Sequence, residues 1–223
     1  MADEYTLSIN DLLKDALPEL PGVVRSVAAR EMRLAMREFF EKSYAWTTTV
    51  TGVSVPTGEQ GIQLSDGDDN TEVIGVLGVA IGNSDDGFDP LKPLDGRPVG
   101  EETTSVNPSH WYVNSNPDEI TLYPYLDTAT SDTLTAFVAL IPAFDIAADD
   151  DTLPRQITLK YYDAIMQGFL ARMYAHPNKP YSSPMTAQQQ RHNFLRSIGY
   201  YAAQRKGGYN GSQAWRFPKG WSK

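Results

Sequence analysis

The spacing of apolar residues changes twice along this chain, near Trp46 and again after Leu153-Pro154. Helical steps of three and four occupy both ends, and short β-rich runs broken by turns occupy the middle. That pattern requires both helices and a sheet in one protein. At the start, Ser8 followed by Asp11 resembles a capping box, with Asp in place of the usual Glu. Leu12, Leu13, Ala16 and Leu17 make a short apolar face, which Pro18 and Pro21-Gly22 stop. A longer helix is predicted over 23–43. Val24, Val27, Ala28, Ala35, Met36 and Phe39 line one side, and Met32 and Phe40 widen the stripe enough for more than one neighbour.

Residues 47–55 are rich in Thr and Val, which suit a pleated sheet. Further short strands are expected at 61–64, 73–81, 110–113, 119–125 and 133–141. Stretches dense in Gly, Pro, Asn and Asp separate them, the longest being an expected loop over 82–108. Helical spacing returns with Ile157, Tyr161, Ala164, Ile165, Gly168, Phe169, Arg172 and Met173, predicting one long helix that ends near His176-Pro177. A last helix is predicted over 185–205, with Ala187, Phe194, Leu195, Ile198 and Tyr201 inside.

The expected fold is α+β. A four-helix bundle is built from both chain ends, with an inserted small β-sandwich or barrel domain and an extended C-terminal arm. Its parts are residues 1–45 (N-terminal helices), 46–150 (β domain), 151–206 (C-terminal helices) and 207–223 (arm). Trp46, at the first junction, is a candidate core residue. At 223 residues the chain is long enough to bury a sizeable core.

Charge is divided sharply. The whole chain carries −9, but no acidic residue follows Asp163, while nine basic ones do. Residues 43–153 hold 19 acids against only Lys92 and Arg97, a net of −17. The acidic middle is either a solvated, solubilising surface or a wall that repels phosphate. The basic end either touches phosphate or docks on an acidic protein, another copy of this chain included.

No catalytic residue emerges. There is no phosphate-binding Gly-x-x-x-x-Gly-Lys-Ser/Thr loop. Gly75, Gly78 and Gly82 lack dinucleotide spacing, and Gly52-Val-Ser54-Val-Pro56 misses the last glycine of a nucleophile elbow. Cysteine is absent, which removes disulfides, thiolate nucleophiles and cysteine-zinc sites. His110, His176 and His192 do not pair at metal spacing. Asp66-Gly-Asp68-Asp-Asn70 begins like a calcium loop, but Thr71 replaces its sixth-position glycine and Leu77 its twelfth-position Glu. No cofactor or metal is expected. The longest apolar run, 73–82, is ten residues against the roughly 20 that span a bilayer, so no membrane partner is expected. The acidic start, Met-Ala-Asp-Glu-Tyr, lacks the basic region and apolar core of a signal peptide; residence in the cytoplasm, or exit by a route that needs no signal, is expected.

The stretch 207–223 contains four glycines and a proline, yet also Tyr209, Trp215, Phe217 and Trp221, with Arg216, Lys219 and Lys223 between or beyond them. The glycines oppose a regular helix, and the aromatics are too many for a solvent linker. The composition suits an arm that orders on a partner, the alternative being aromatics folded back on the chain's own core.

Several motifs together resemble a known family. They are Leu12-Leu13 ahead of Leu20-Pro21-Gly22, Ala35-x-Arg37-Glu38-Phe39-Phe40, and Ser43-x-x-Trp46. After the strand region come Leu153-Pro154 and Tyr162-x-Ala164-Ile165-x-x-Gly168-x-x-x-Arg172. Then follow Pro177-x-Lys179-Pro180-Tyr181 and Pro184-x-x-Ala187-x(6)-Phe194. The chain resembles the head-to-tail adaptor (connector, neck) proteins of tailed bacteriophages, which form the ring beneath the portal. Two departures are Tyr181, where tryptophan is expected, and Phe40, where a small residue often follows the first aromatic. The resemblance implies a non-enzymatic virion protein of the neck, a homo-oligomeric ring, commonly a dodecamer, assembled in the host cytoplasm. It implies a portal protein ring as partner on one side, tail or nozzle proteins on the other, and genomic DNA passing through the lumen unbound. The arm residues Tyr209, Trp215, Arg216, Phe217, Lys219, Trp221 and Lys223 are then the expected portal contacts.

Three rival assignments fit parts of the sequence. Another tail component, such as a tail tube protein, keeps the phage context. A nucleic-acid binder would use the basic region 164–223, with strongly salt-dependent affinity. A carbohydrate-binding β domain would stack sugars on His110, Trp111 and Tyr112, but strand alternation turns Trp111 away from its two neighbours.

Overall fold

The computed structural model describes residues 6–68, 70–83, 87–98, 104–105, 107–143 and 152–207. In chain order the elements are β1 (Thr6–Ser8), α1 (Ile9–Ala16), a 3-10 turn (Leu17–Glu19), α2 (Arg25–Ser43), β2 (Thr47–Ser54), β3 (Ile62–Gln63), β4 (Thr71–Asn83), β5 (Gly87–Pro93), β6 (Thr104–Ser105), β7 (His110–Val113), β8 (Glu119–Tyr123), β9 (Tyr125–Leu126), β10 (Thr133–Pro142), β11 (Thr152–Pro154), α3 (Arg155–Lys160), α4 (Tyr162–Tyr174) and α5 (Pro184–Gly207). They fall into two compact units. One comprises the described parts of Met1–Leu12 and Trp46–Leu159; the other comprises those of Leu13–Ala45 and Lys160–Lys223.

The first unit is organised by a seven-stranded sheet in the order β2-β10-β4-β5-β7-β8-β3. All its pairings are antiparallel except β5 with β7. β1 pairs with β11, and β6 with β9, as separate two-stranded ladders. Strand alternation makes the core: Leu134, Ala136 and Val138 of β10 are buried, as are Val50, Val79, Leu91, Ile120 and Leu122 of its neighbours. Trp46 is buried at the head of β2, and its carbonyl accepts the Leu140 N–H at 2.9 Å. Between Leu134 and Ala136 the β2 partner register advances by one extra residue, and Gly52 absorbs this bulge at φ +73°.

On the opposite face, three rows cross these strands in register. Thr133, Gly82 and Phe88 form one; Thr135, Ala80 and Pro90 the next; Thr49, Phe137 and Gly78 the third.

In the second unit α2 packs against α4 and α5, which pack on each other. α2 ends at Tyr44, which adopts φ +49° and donates its N–H to the Phe40 carbonyl at 2.9 Å. α5 opens on Pro184, whose missing N–H costs nothing in a first turn, and Ser183 before it accepts the Ala187 N–H at 2.8 Å.

The expected bundle with an inserted small sandwich or barrel is overturned. The molecule is α+β, but a large seven-stranded sheet dominates it, accompanied among the described residues by five α-helices. The cause lies inside the stretch expected as a loop. β5 pairs with β4 on one side and β7 on the other, so two groups of strands become a single sheet. The helix expected through 157–173 is also two helices. Tyr161 leaves the helical region between them, at φ −111° and ψ 10°, and sends its hydroxyl to the Ala45 carbonyl at 3.1 Å.

Candidate functional site

The quoted motifs of α2, α4 and α5 converge in the second unit. Ala35, Met36, Phe39 and Phe40 are buried on α2. Phe39 meets Phe194 of α5 with ring centres 6.3 Å apart, Tyr161 at 5.3 Å and Tyr201 at 5.7 Å. Phe40, the departure from the expected small residue, packs edge-on against Tyr161 at 5.8 Å. It thus fills the space at the break between α3 and α4. Tyr181, the other departure, is buried, as an aromatic anchor after Lys179-Pro180 should be. Gly168 lets α4 approach α5: a Cβ there would lie 2.7 Å from the Phe194 Cε2 atom.

Glu38 is the ionic centre beside these rings. Arg191 donates Nη1 to Oε2 at 2.8 Å and Nη2 to Oε1 at 2.6 Å, a two-point pairing. Arg172 donates Nη2 to Oε2 at 2.8 Å, and Lys42 donates Nζ to Oε1 at 2.6 Å. The Arg191 hydrogen bonds chiefly hold the Glu38 carboxyl down at about 2; those of Lys42 and Arg172 add to this, and burial opposes it. The same bonds raise Arg191 above its ordinary value. Arg172 also reaches Glu31, Nη1 to Oε2 at 3.6 Å, and His176 Nε2 lies 3.8 Å from Glu31 Oε1. The Arg191 guanidinium sits 5.5 Å from the Phe194 ring centre, and that of Arg205 sits 5.2 Å from the Tyr44 ring. Tyr162 donates to Asp15 at 3.0 Å; burial and then that bond push its hydroxyl up to about 12.

A groove of about 720 Å³ runs beside Glu38, with Leu34, Ala171, Ala175 and Ala187 as apolar walls and Arg37 and Glu41 at its sides. It contains no nucleophile beside a base, and the Glu38 carboxylate is saturated by cations. Its arrangement joins three helices.

The other sequence-derived candidates are placed as follows. Among the described residues no group of three His, Cys, Asp or Glu side chains can hold a metal. In the loop that begins like a calcium site, Asp66 Oδ1 accepts from the Asp68 N–H and the Thr71 hydroxyl, and Asp68 Oδ1 accepts from Asn70. These carboxylates bind their own loop. His110 lies 2.8 Å from the Ser109 hydroxyl, and His192 is exposed. Trp111 and Tyr112 are both buried, so no stacking platform forms there. No helix of the described residues is long and apolar enough to cross a membrane. The expected portal contacts Tyr209, Trp215, Arg216, Phe217, Lys219, Trp221 and Lys223 lie outside the described residues.

The Glu38 cluster was not singled out from sequence, although a signal for it exists. With no acid after Asp163, any arginine of α4 or α5 that is half-buried must find its carboxylate earlier in the chain, and α2 offers Glu31 and Glu38. Arg172 and Arg191 are therefore engaged within the protein, which removes two of the cations a phosphate-gripping surface would use.

No curated protein matches the chain. The family model of the SU10 adaptor protein matches residues 2–216, nearly the whole length. With the α2, α4 and α5 motifs meeting in one packed cluster, the chain belongs to the SU10 adaptor protein family, a family of bacteriophage head-to-tail adaptors.

Proposed function

We propose that this protein is the subunit of a homo-oligomeric ring, a dodecamer, in the virion neck. The ring joins the portal to the tail or nozzle proteins and surrounds the path of the genome. The observation that carries this reading is the family match over residues 2–216. The charge division supports it. A segment of net −17 beside a DNA path leaves few cations for phosphates to hold, so a duplex slides past it. The saturated Glu38 cluster agrees with a building block that catalyses nothing, assembled in the host cytoplasm without disulfides.

In this reading residues 207–223 form the hook on the portal. Tyr209, Trp215, Phe217 and Trp221 supply apolar anchors, and Arg216, Lys219 and Lys223 suit an acidic groove. The test is to mix purified protein with portal rings and score electron micrographs for stacked rings. Full-length protein is expected to stack. Protein lacking 207–223 is expected to keep its melting curve and fail to attach. Normal attachment by the truncated chain defeats the hook, and absence of rings in every mixture defeats the ring.

A further inference from the structure

We infer that the uncharged face of the β2–β10–β4–β5 end of the sheet is the surface on which a second copy of this chain docks. The inference deepens the ring reading and rests on it.

Residues 43–153 carry 19 acids against two bases, so almost any surface they build is strongly negative. Among the described residues, the three in-register rows described above depart from that. Their nine residues are Thr, Gly, Ala, Pro and Phe, without one charge. In this neutral patch Phe137 is 43% exposed although it lies on β10, with β2 and β4 on either side, and Phe88 is 47% exposed on β5. Opposite Phe137 stands Gly78, where an added Cβ would meet nothing within 4 Å. The ring therefore has open space beside it, not a neighbour that covers it. Depletion of charge around exposed aromatic residues is what the core of a protein interface looks like, as against the rest of a surface.

The strand beside this face is also unguarded. β2 pairs with β10 on one side and with no strand on the other among the described residues. Its sequence, Thr47-Thr-Thr-Val-Thr-Gly-Val-Ser54, has no charge and no proline. An edge strand without lysine, proline or an inward charge is normally covered by something.

Charge identifies the occupant. A basic partner gains most by sitting on the acidic parts of this unit, where each contact pairs opposite charges. The same segment of a second copy brings the same net −17 and is repelled from all of those parts. Only where the charge vanishes can two such units meet without juxtaposing carboxylates. The neutral rows and the neutral β2 edge form such a place, and their apolar content supplies the attraction.

The test uses the full-length chain with the photoreactive analogue p-benzoylphenylalanine at position 137, which keeps an aromatic ring there. The protein is irradiated alone and with portal rings, and peptide adducts are mapped by mass spectrometry. In parallel, Phe137→Glu and Thr49→Lys are weighed by mass photometry beside the parent protein, with thermal melting to show that each stays folded. The expected result is an adduct between two copies, and self-association weakened about tenfold or more in a folded variant. Assemblies that form normally in both folded variants, or adducts only to portal, overturn this inference and leave the ring reading standing. Adducts and association that stop at two copies support the face and overturn the ring. A parent protein that stays monomeric in every mixture overturns both. If both variants unfold, the adduct map alone decides: copy-to-copy adducts support the face, and their absence from assembled rings overturns it.

Discussion

Arg191 of α5 clasps the Glu38 carboxylate of α2 through both guanidinium nitrogens, at 2.6 and 2.8 Å, across 153 residues of sequence. Lys42 and Arg172 fill the remaining positions on the same two oxygens. The side chain of Glu38 is only 11% exposed, whereas its three partners are 30–48% exposed. Solvent therefore screens the cations more than the anion. Glu38→Gln removes the charge but keeps the shape, leaving three cations facing one another. The expected loss of stability is about 2 kcal/mol, below the range for fully buried pairs because of that screening. Urea denaturation of the second unit's signal checks it, and an unchanged midpoint contradicts the role given to Glu38.

The same carboxylate sets a pH dependence. Its folded value, about 2, lies below the ordinary 4.5, so the unfolded chain binds the proton first as pH falls. The contribution of Glu38 is complete above about pH 4.5 and is lost as pH drops from there toward 2. Denaturation midpoints of the parent protein and Glu38→Gln should therefore converge over that window. Parallel curves down to pH 2.5, on the order of the folded value, would contradict the assignment.

Gly168 separates two opposing effects. At an open helix position, Gly→Ala stabilises by about 1 kcal/mol. Here the new methyl would sit 2.7 Å from the Phe194 ring, which is itself fully buried and cannot swing away. Gly168→Ala is expected to destabilise by about 1–3 kcal/mol, and Phe194→Leu in the same chain to recover part of it. A raised melting temperature for the single variant would show that α4 and α5 can separate at little cost.

Trp46 tests the sheet unit. It is 6% exposed at the start of β2. Trp46→Ala should cost about 3–5 kcal/mol, read by thermal or chemical denaturation. A melting curve that does not move would mean that this position contributes no core packing.

Much of the secondary structure was legible because its causes are local. The apolar stripe through Ala28, Ala35, Met36 and Phe39 predicts α2, observed at Arg25–Ser43, and the Thr/Val run predicts β2 at Thr47–Ser54. Side-chain spacing of 3.6 or 2 is written in neighbouring residues and needs no distant partner. The stretch Gly87–Pro93 shows the limit. Its Gly, Asp and two Pro residues carry loop composition, and it becomes β5 only because β4 and β7 lie on its two sides. Tyr161 fits the helical stripe, yet the carbonyl of Ala45 and the faces of Phe39 and Phe40 draw it out of the helix.

What the amino-acid order alone determined, then, is where most helices and strands lie, that the middle is acidic and the end basic, and which motifs belong to a phage adaptor. Tertiary structure decided that seven of the strands join into one sheet, that α3 and α4 part at Tyr161, and that Arg172 and Arg191 spend their charge on Glu38. The difference is physical. Local periodicity acts between residues a turn or a pleat apart. Sheet order and ion pairing are chosen among many distant partners, and only the closed chain, with its geometry and its desolvation, selects one.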